Sequence, residues 1–311
     1  MRKKLNTIFN FLKKVYGEFS SDNVLKYSAS LAYYTIFSIT PMLVIIITLC
    51  GAVFGKEAIQ GEIYGQINDL VGNEAALQIQ EGIKKMYLTP SNTFANIIAV
   101  VILLVGATGI FSEIQDSLNK IWGLKIKANK TWWKLIIDRL LSFSIIISLG
   151  FTLMVSLLLN AIITSLSQKL TNLIGNTNAI ILPIIENIFS LVFSTFLFAL
   201  IFKVLPDAKI KWKDVIVGAI ITAVLFAIGK IGIGYYIGNS SVAIVYGTAG
   251  SVVVMLVWTY YSSTILYLGA ECTKVYARDY GGKITPNEYS VWIKLEEVPV
   301  DNVTLNKEVI Q

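Results

Sequence analysis

Apolar residues run through this chain in stretches longer than a soluble helix uses, and the polar positions gather in blocks between them. Crossing a hydrocarbon core of ~30 Å takes ~20 mostly apolar residues, because each helical residue advances ~1.5 Å. Six stretches meet that length: Leu31 to Phe54, Phe94 to Phe111, Leu140 to Leu166, Ile180 to Phe202, Val215 to Ile237, and Ser251 to Ala270. A Gly- and Ser-containing break over 238–250 separates the last two. The pattern predicts an all-α polytopic membrane bundle of six transmembrane helices over 31–280, with a basic arm over 1–30 before it and a tail over 281–311 after it.

Helical periodicity continues outside the spans. In the arm, Leu5, Ile8, Phe9, Leu12, Val15, Tyr16 and Phe19 recur at helical spacing, with Lys3, Lys4, Lys13 and Lys14 around the other side. This is an amphipathic helix, which either lies in the adjoining leaflet or packs beneath the bundle. Ser21, Asp22 and Asn23 offer an N-cap for the helix entering the membrane, and Pro41 is placed to kink the first span. The loop over 55–93 carries Ile63, Ile67, Leu70 and Val71, then Ala76, Ile79, Ile83 and Met86, which predicts a helical pair covering the outer mouth. The second span continues past Glu113 and Asp116 through Ile114, Leu118 and Ile121. After Tyr280 no period survives, and a mobile tail is expected.

Loop charge orients the bundle, since Lys and Arg are retained on the cytoplasmic side. Arg2, Lys3, Lys4, Lys13, Lys14 and Lys26 precede the first span, and Lys120, Lys125, Lys127, Lys130, Lys134 and Arg139 follow the second. Lys203, Lys209, Lys211 and Lys213 follow the fourth, and Lys274, Arg278, Lys283, Lys294 and Lys307 follow the sixth. The alternate loops hold Lys56, Lys84, Lys85 and Lys169. Both termini are therefore expected in the cytoplasm. The first apolar run starts too late and runs too long for a cleavable signal, so the first span is expected to stay in the mature protein.

Composition agrees: 55% of residues are hydrophobic and 15% charged, with a mean hydropathy of +0.65. The net charge of +6 sits where topology needs it, beside an anionic leaflet, so membrane lipids are the expected partner and nucleic acid is not. The absence of His removes the commonest general base and metal ligand, and Cys50 and Cys272 fall at opposite ends of the bundle. No catalytic site, metal site or cofactor is expected.

Charges inside spans are costly and point to function. Lys230 lies ~22 Å into the fifth span and Glu186 ~9 Å below the opposite surface, which brings them to one level. Either they pair or share a wet cavity, or Lys230 snorkels outward while Glu186 sits among headgroups. Asn160 adds polarity to the third span. Gly229, Gly232 and Gly234, following Ala219, Ala223 and Ala227 at four-residue spacing, permit either an unwound cavity-lining segment or a close helix crossing. At the inner face, Glu113, Arg139 and Glu271 are either a gating or packing network or solvated helix ends.

Tyr27-Ser28-Ala29-Ser30-Leu31-Ala32-Tyr33-Tyr34, leading to Ser38-Ile39-Thr40-Pro41, resembles the opening motif of the YihY/virulence factor BrkB family. Leu118-Asn119-Lys120-Ile121-Trp122-Gly123, Leu205-Pro206-Asp207, Val245-Tyr246-Gly247 and Leu268-Gly269-Ala270-Glu271 are similar to its later landmarks, in the same order. The resemblance covers roughly 20–280. It implies a bacterial inner-membrane protein of a family long labelled ribonuclease BN and linked to virulence or envelope properties. The chemistry required for RNA hydrolysis is missing here. Two readings follow: a transporter or lipid-translocating permease using Glu186, Lys230, Asn160 and the glycines, or a non-catalytic scaffold that docks an envelope protein or another copy of itself.

Overall fold

The computed structural model describes residues 2–71, 73–87, 93–127, 178–239 and 249–293, with positions 140, 144, 145, 148 and 246 besides. Most of the expected third span, including Asn160, and the approach to it, with Arg139, lie outside the described residues. Eight helices are described: α1 (Arg2–Ser21), α2 (Val24–Phe54), α3 (Lys56–Val71), α4 (Asn73–Tyr87), α5 (Thr93–Ile121), α6 (Asn178–Val204), α7 (Trp212–Asn239) and α8 (Gly250–Asp279). Four stretches are long and apolar enough to cross a membrane: Val24–Gly51, Asn187–Val204, Trp212–Ile233 and Gly250–Asp279. They match the first, fourth, fifth and sixth expected spans. The second falls in α5, whose side chains before Val105 lie outside the description.

Close helix crossings organise the bundle, because lipid supplies little hydrophobic drive and backbones must approach to gain contact. α2 packs on α5 and α8, and α7 on α6 and α8. Pro41 lies within the continuous helix α2, and its ring faces Gly106 on α5, where an added Cβ would come within 2.9 Å of Pro41 Cγ. One turn away, a Cβ on Gly109 would approach Ser38 Oγ at 3.1 Å. Between α7 and α8 the fit is reciprocal: a Cβ on Gly218 would lie 1.7 Å from Thr273 Oγ1, and one on Gly269 would lie 1.8 Å from Thr222 Oγ1. Gly229 meets Tyr261 in the same way. α7 stays helical through Gly229, Gly232 and Gly234, so the segment is not unwound; Gly229 serves the close crossing, while Gly232 faces open space.

The loop after α2 forms the expected helical pair, burying Ile59, Ile63, Ala75, Ala76, Ile79 and Ile83. It reaches deeper than a cover over the mouth. A Cβ on Gly82 of α4 would contact Thr40 at 3.2 Å, near the middle of α2, and both helices of the pair also touch α8. The N-cap expectation needs correction: Asn23 takes the cap position in a left-handed conformation (φ 54, ψ 40) and makes no side-chain cap bond.

The described part of the tail, 281–293, is folded where a mobile segment was expected, and it adds short strand pairs to an otherwise helical fold. β1 (Leu124–Ile126) pairs antiparallel with β4 (Ser290–Trp292), and β2 (Ala208–Lys209) with β3 (Thr285–Pro286). Asp207, only 1% exposed, holds this layer in place. Its carboxylate accepts hydrogen bonds from Gln115 (3.1 Å), Asn119 (3.0 Å) and Asn287 (3.1 Å), and its carbonyl accepts from Ser290 Oγ (2.6 Å). Asn119 Oδ1 in turn accepts the Asp207 N–H at 2.8 Å. The strands are too short to show alternation, so this order left no mark in the periodicity.

Gly218→Ala and Gly269→Ala should each lower the melting temperature in detergent by an amount equivalent to ~1–3 kcal/mol of overpacking. Gly232→Ala, whose Cβ meets nothing within 4 Å, should leave it unchanged or slightly raised. Asp207→Ala leaves several buried donors unpaired at about 1–3 kcal/mol each. Limited proteolysis should then cut the 281–293 segment of this variant while the parent protein resists.

Candidate functional site at the basic end of the bundle

α1 lies along the last turns of α8 and presents one stripe to it. Phe11 and Val15 pack with Cys272 and Val275, while the next two positions of the stripe, Glu18 and Asp22, are acidic. α8 answers with cations at matching spacing. Lys274 Nζ lies 2.7 Å from Glu18 Oε2 and 3.4 Å from Glu271 Oε2, and also bonds Asp22. Arg278 reaches Glu18 at 2.6 Å, and Lys14 reaches Asp279 at 2.6 Å. The alternative in which the arm packs beneath the bundle is thus realised for one stripe. Ile8, Phe9, Leu12 and Tyr16 point away from it and are 56–74% exposed.

Glu271 is fully buried, and a carboxylate in that position is costly unless paired. Glu18, Asp22 and Glu271 could in principle hold a cation, since one oxygen of each lies within 4.8 Å of the others. The Lys274 ammonium already touches all three, so the group reads as an ion-pair cluster. Burial would raise the Glu18 carboxyl, but hydrogen bonds and charge from Lys274 and Arg278 hold it below the ordinary glutamate value.

Beside this cluster a cavity of about 520 Å³ opens between the end of α8, the turn after α5 and β4. Lys120, Lys274, Arg278 and Lys283 bring positive charge to its wall, against the single acid Asp22. The remainder is apolar, with Trp122 and Trp292 the largest groups. Trp122 is fixed by its indole N–H donating to Ala270 O at 3.2 Å. Gly123 turns the chain with φ 69, and its carbonyl accepts the Ile293 N–H at 2.8 Å. Lys120 sits 5.5 Å over the Tyr27 ring, and Lys283 occupies a left-handed backbone with φ 60.

Of the residues expected at the inner face, Glu113 and Glu271 lie at this end of the bundle, and Arg139 is outside the described residues. Glu271 finds its cation in Lys274, three residues along its own helix. Lys230 is exposed on α7 beside Ile228 (63%) and Ile231 (76%). Glu186 belongs to α6, but its side chain lies outside the description, so the Glu186–Lys230 pair is not among the described contacts. Sequence reasoning missed Glu18, Asp22, Lys274, Arg278 and Asp207. The first four carried a signal: Lys14, Glu18 and Asp22 recur every four residues, and Glu271, Lys274 and Arg278 form one face. Lys283 carried none.

The family model described as Virulence factor BrkB matches residues 15–290. Proteins named "UPF0761 membrane protein" are similar along most of the chain. The one from Teredinibacter turnerae is 25% identical over 89% of this chain and 63% of its own length. Those from Aeromonas salmonicida (27%) and Psychromonas ingrahamii (28%) match over 85% and 87% of this chain, and 88% of their own length in each case. This chain thus spans a little under two thirds of the Teredinibacter relative. No solved structure matches. The relatives' names specify a membrane protein and no enzymatic activity.

Removing Lys274 strands Glu271, and breaking such a buried pair costs ~3–5 kcal/mol. In a Cys50→Ala background, Lys274→Ala should therefore speed maleimide labelling of Cys272, which α1 now covers, by at least about tenfold. The lowered Glu18 carboxyl contributes stability that is complete above the ordinary glutamate range and is lost as pH falls through its lowered value. Acid should consequently lower the melting temperature less in Glu18→Gln than in the parent.

Proposed function

The chain belongs to the virulence factor BrkB family of membrane proteins, and we propose that it is a multi-pass permease of the bacterial inner membrane that translocates an amphiphile. The observation that carries this reading is the vestibule at the basic end, where a cationic rim meets an apolar wall in one solvent-open cavity of about 520 Å³. An amphiphile has the same two halves. The loop charges favour an orientation with both termini on the cytoplasmic side, and the vestibule would then open where the lysine-rich segments gather. Glu186, Asn160 and Lys230 are the polar groups that would carry a headgroup onward through the spans. Transport driven by a gradient or by a partner is the consistent mechanism, since the chain contains no phosphate-binding loop for ATP. Without a single His in the sequence, the nuclease label attached to the family has little chemical support.

The outward apolar face of α1 favours a second activity in the same protein. Ile8, Phe9, Leu12 and Tyr16, flanked by Lys13 and Lys14, have the composition of a helix that lies in an anionic leaflet. Alternatively that face docks an envelope protein or another copy of the chain, which is the scaffold reading.

Purified protein in liposomes should accelerate leaflet exchange of fluorescent phospholipids above empty vesicles, and Lys230→Ala and Glu186→Gln should abolish the gain. No acceleration across a panel of lipids and solutes would favour the scaffold reading instead.

A further inference from the structure

The geometry points to the vestibule as a binding site for a phosphate monoester carried on an apolar tail, with Lys120 and Lys283 as the groups that hold the phosphate. This names the substrate class of the permease reading and rests on it.

Part of the positive charge on the rim is not committed elsewhere. Lys274 and Arg278 are already bound to Glu18, Asp22, Glu271 and Asp279. Lys120 meets the Tyr27 ring and, among the described residues, no carboxylate. The Lys283 ammonium has no partner among the described residues. Two ammonium groups with no carboxylate partner among the described residues therefore share the rim of one cavity with two partly neutralised cations. That excess suits a dianion better than a monoanion, and a phosphate monoester carries about −1.5 to −2 at neutral pH.

Lys283 supplies an independent observation. It adopts φ 60, a conformation that L residues with a Cβ enter at a cost and that glycine enters freely. Two glycines stand immediately before it, yet the left-handed position is occupied by lysine, with its N–H donating to Ala277 O at 3.1 Å. This turn closes the end of α8 and brings Lys283 to the wall of the cavity. The apolar half of the site is equally definite. Trp122 is locked by its bond to Ala270, and Trp292, 55% exposed, lies against the Gly123 turn at a distance of 3.8 Å from the Cβ position. A cavity of about 520 Å³ with this wall is far larger than inorganic phosphate needs and accommodates a phosphate together with the first part of a tail.

The test uses the full chain in nanodiscs of pure phosphatidylcholine, with fluorescent lysophosphatidic acid as the probe, lysophosphatidylcholine as the zwitterionic control and inorganic phosphate as the competitor. Lysophosphatidic acid should bind at least about tenfold more tightly than the control, and Lys120→Gln and Lys283→Gly should each weaken it several-fold, as expected for loss of a charge-assisted bond. Lys283→Gly should also keep or raise the melting temperature, so its weaker binding cannot come from misfolding. Equal binding of the two lipids, or full affinity in both variants, overturns the site. Inorganic phosphate competing at the same concentration as the lipid overturns the apolar half. Selective binding without leaflet exchange overturns the permease reading and leaves the site standing, whereas exchange without selective binding does the reverse.

Discussion

A carboxylate sealed from water must find its hydrogen bonds inside the protein, and Asp207 finds them in two distant parts of the chain. Gln115 and Asn119 come from α5, Asp207 itself from the turn between α6 and α7, and Asn287 and Ser290 from the tail. Satisfying this one group fixes where α5 ends relative to α7 and brings the tail back across the bundle. The two short strand pairs then follow, since β2 begins one residue after Asp207 and β4 starts at Ser290. Strands of two or three residues are too short to hold themselves in water. They persist because their anchor is buried.

A second buried carboxylate does similar work one layer further out. Glu271 lies within α8 with the Lys274 ammonium 3.4 Å away, and Lys274 is in turn shared with Glu18 and Asp22. The amphipathic arm is thereby tied to the final span through charge as well as through Val15 and Phe11. The vestibule inherits its geometry from both anchors: Trp122 and Lys120 follow Asn119, Lys283 and Trp292 flank Asn287, and Lys274 and Arg278 belong to the ion-pair cluster. Each wall of the cavity is within a few residues of a group that the fold has already immobilised.

The first, fourth, fifth and sixth spans were legible because the bilayer imposes a length and a hydropathy that a single sequence cannot disguise. So was the helical pair after the first span, whereas the small residues of the fifth span were compatible with either an unwound segment or a close crossing, and only the backbone of α7 decides for the crossing at Gly229. The ion-pair cluster was readable in principle. Glu18, Asp22, Lys274 and Arg278 have helical spacing, but the partner stripes lie about 250 residues apart in a sequence of 311, and spacing cannot say which stripe meets which. Asp207 and Lys283 were illegible for a different reason. Their roles depend on a tail whose strands have no period, and on a backbone angle that no composition reveals. The segments carrying the family resemblance, Leu118 to Gly123, Leu205 to Asp207 and Leu268 to Glu271, turn out to meet at this same end of the bundle.

Where a passage could open is constrained by the same contacts. The α7–α8 seam is closed by glycine and threonine fitted to less than the distance a Cβ would need, and the α2–α5 seam by Gly106 against Pro41. Neither seam can widen by rotating one side chain, because the groups in contact are backbone and β-branched or cyclic side chains with little freedom. Any opening along these seams must separate whole helices, which is the rigid-body motion expected of a packed and bistable bundle. The α3–α4 pair, seated against α2 and α8, would have to move with them. The vestibule differs from both seams: it is bounded on one side by a strand pair of three residues and on another by long flexible cations. This makes it a part of the structure that can admit a ligand while the helices remain in place.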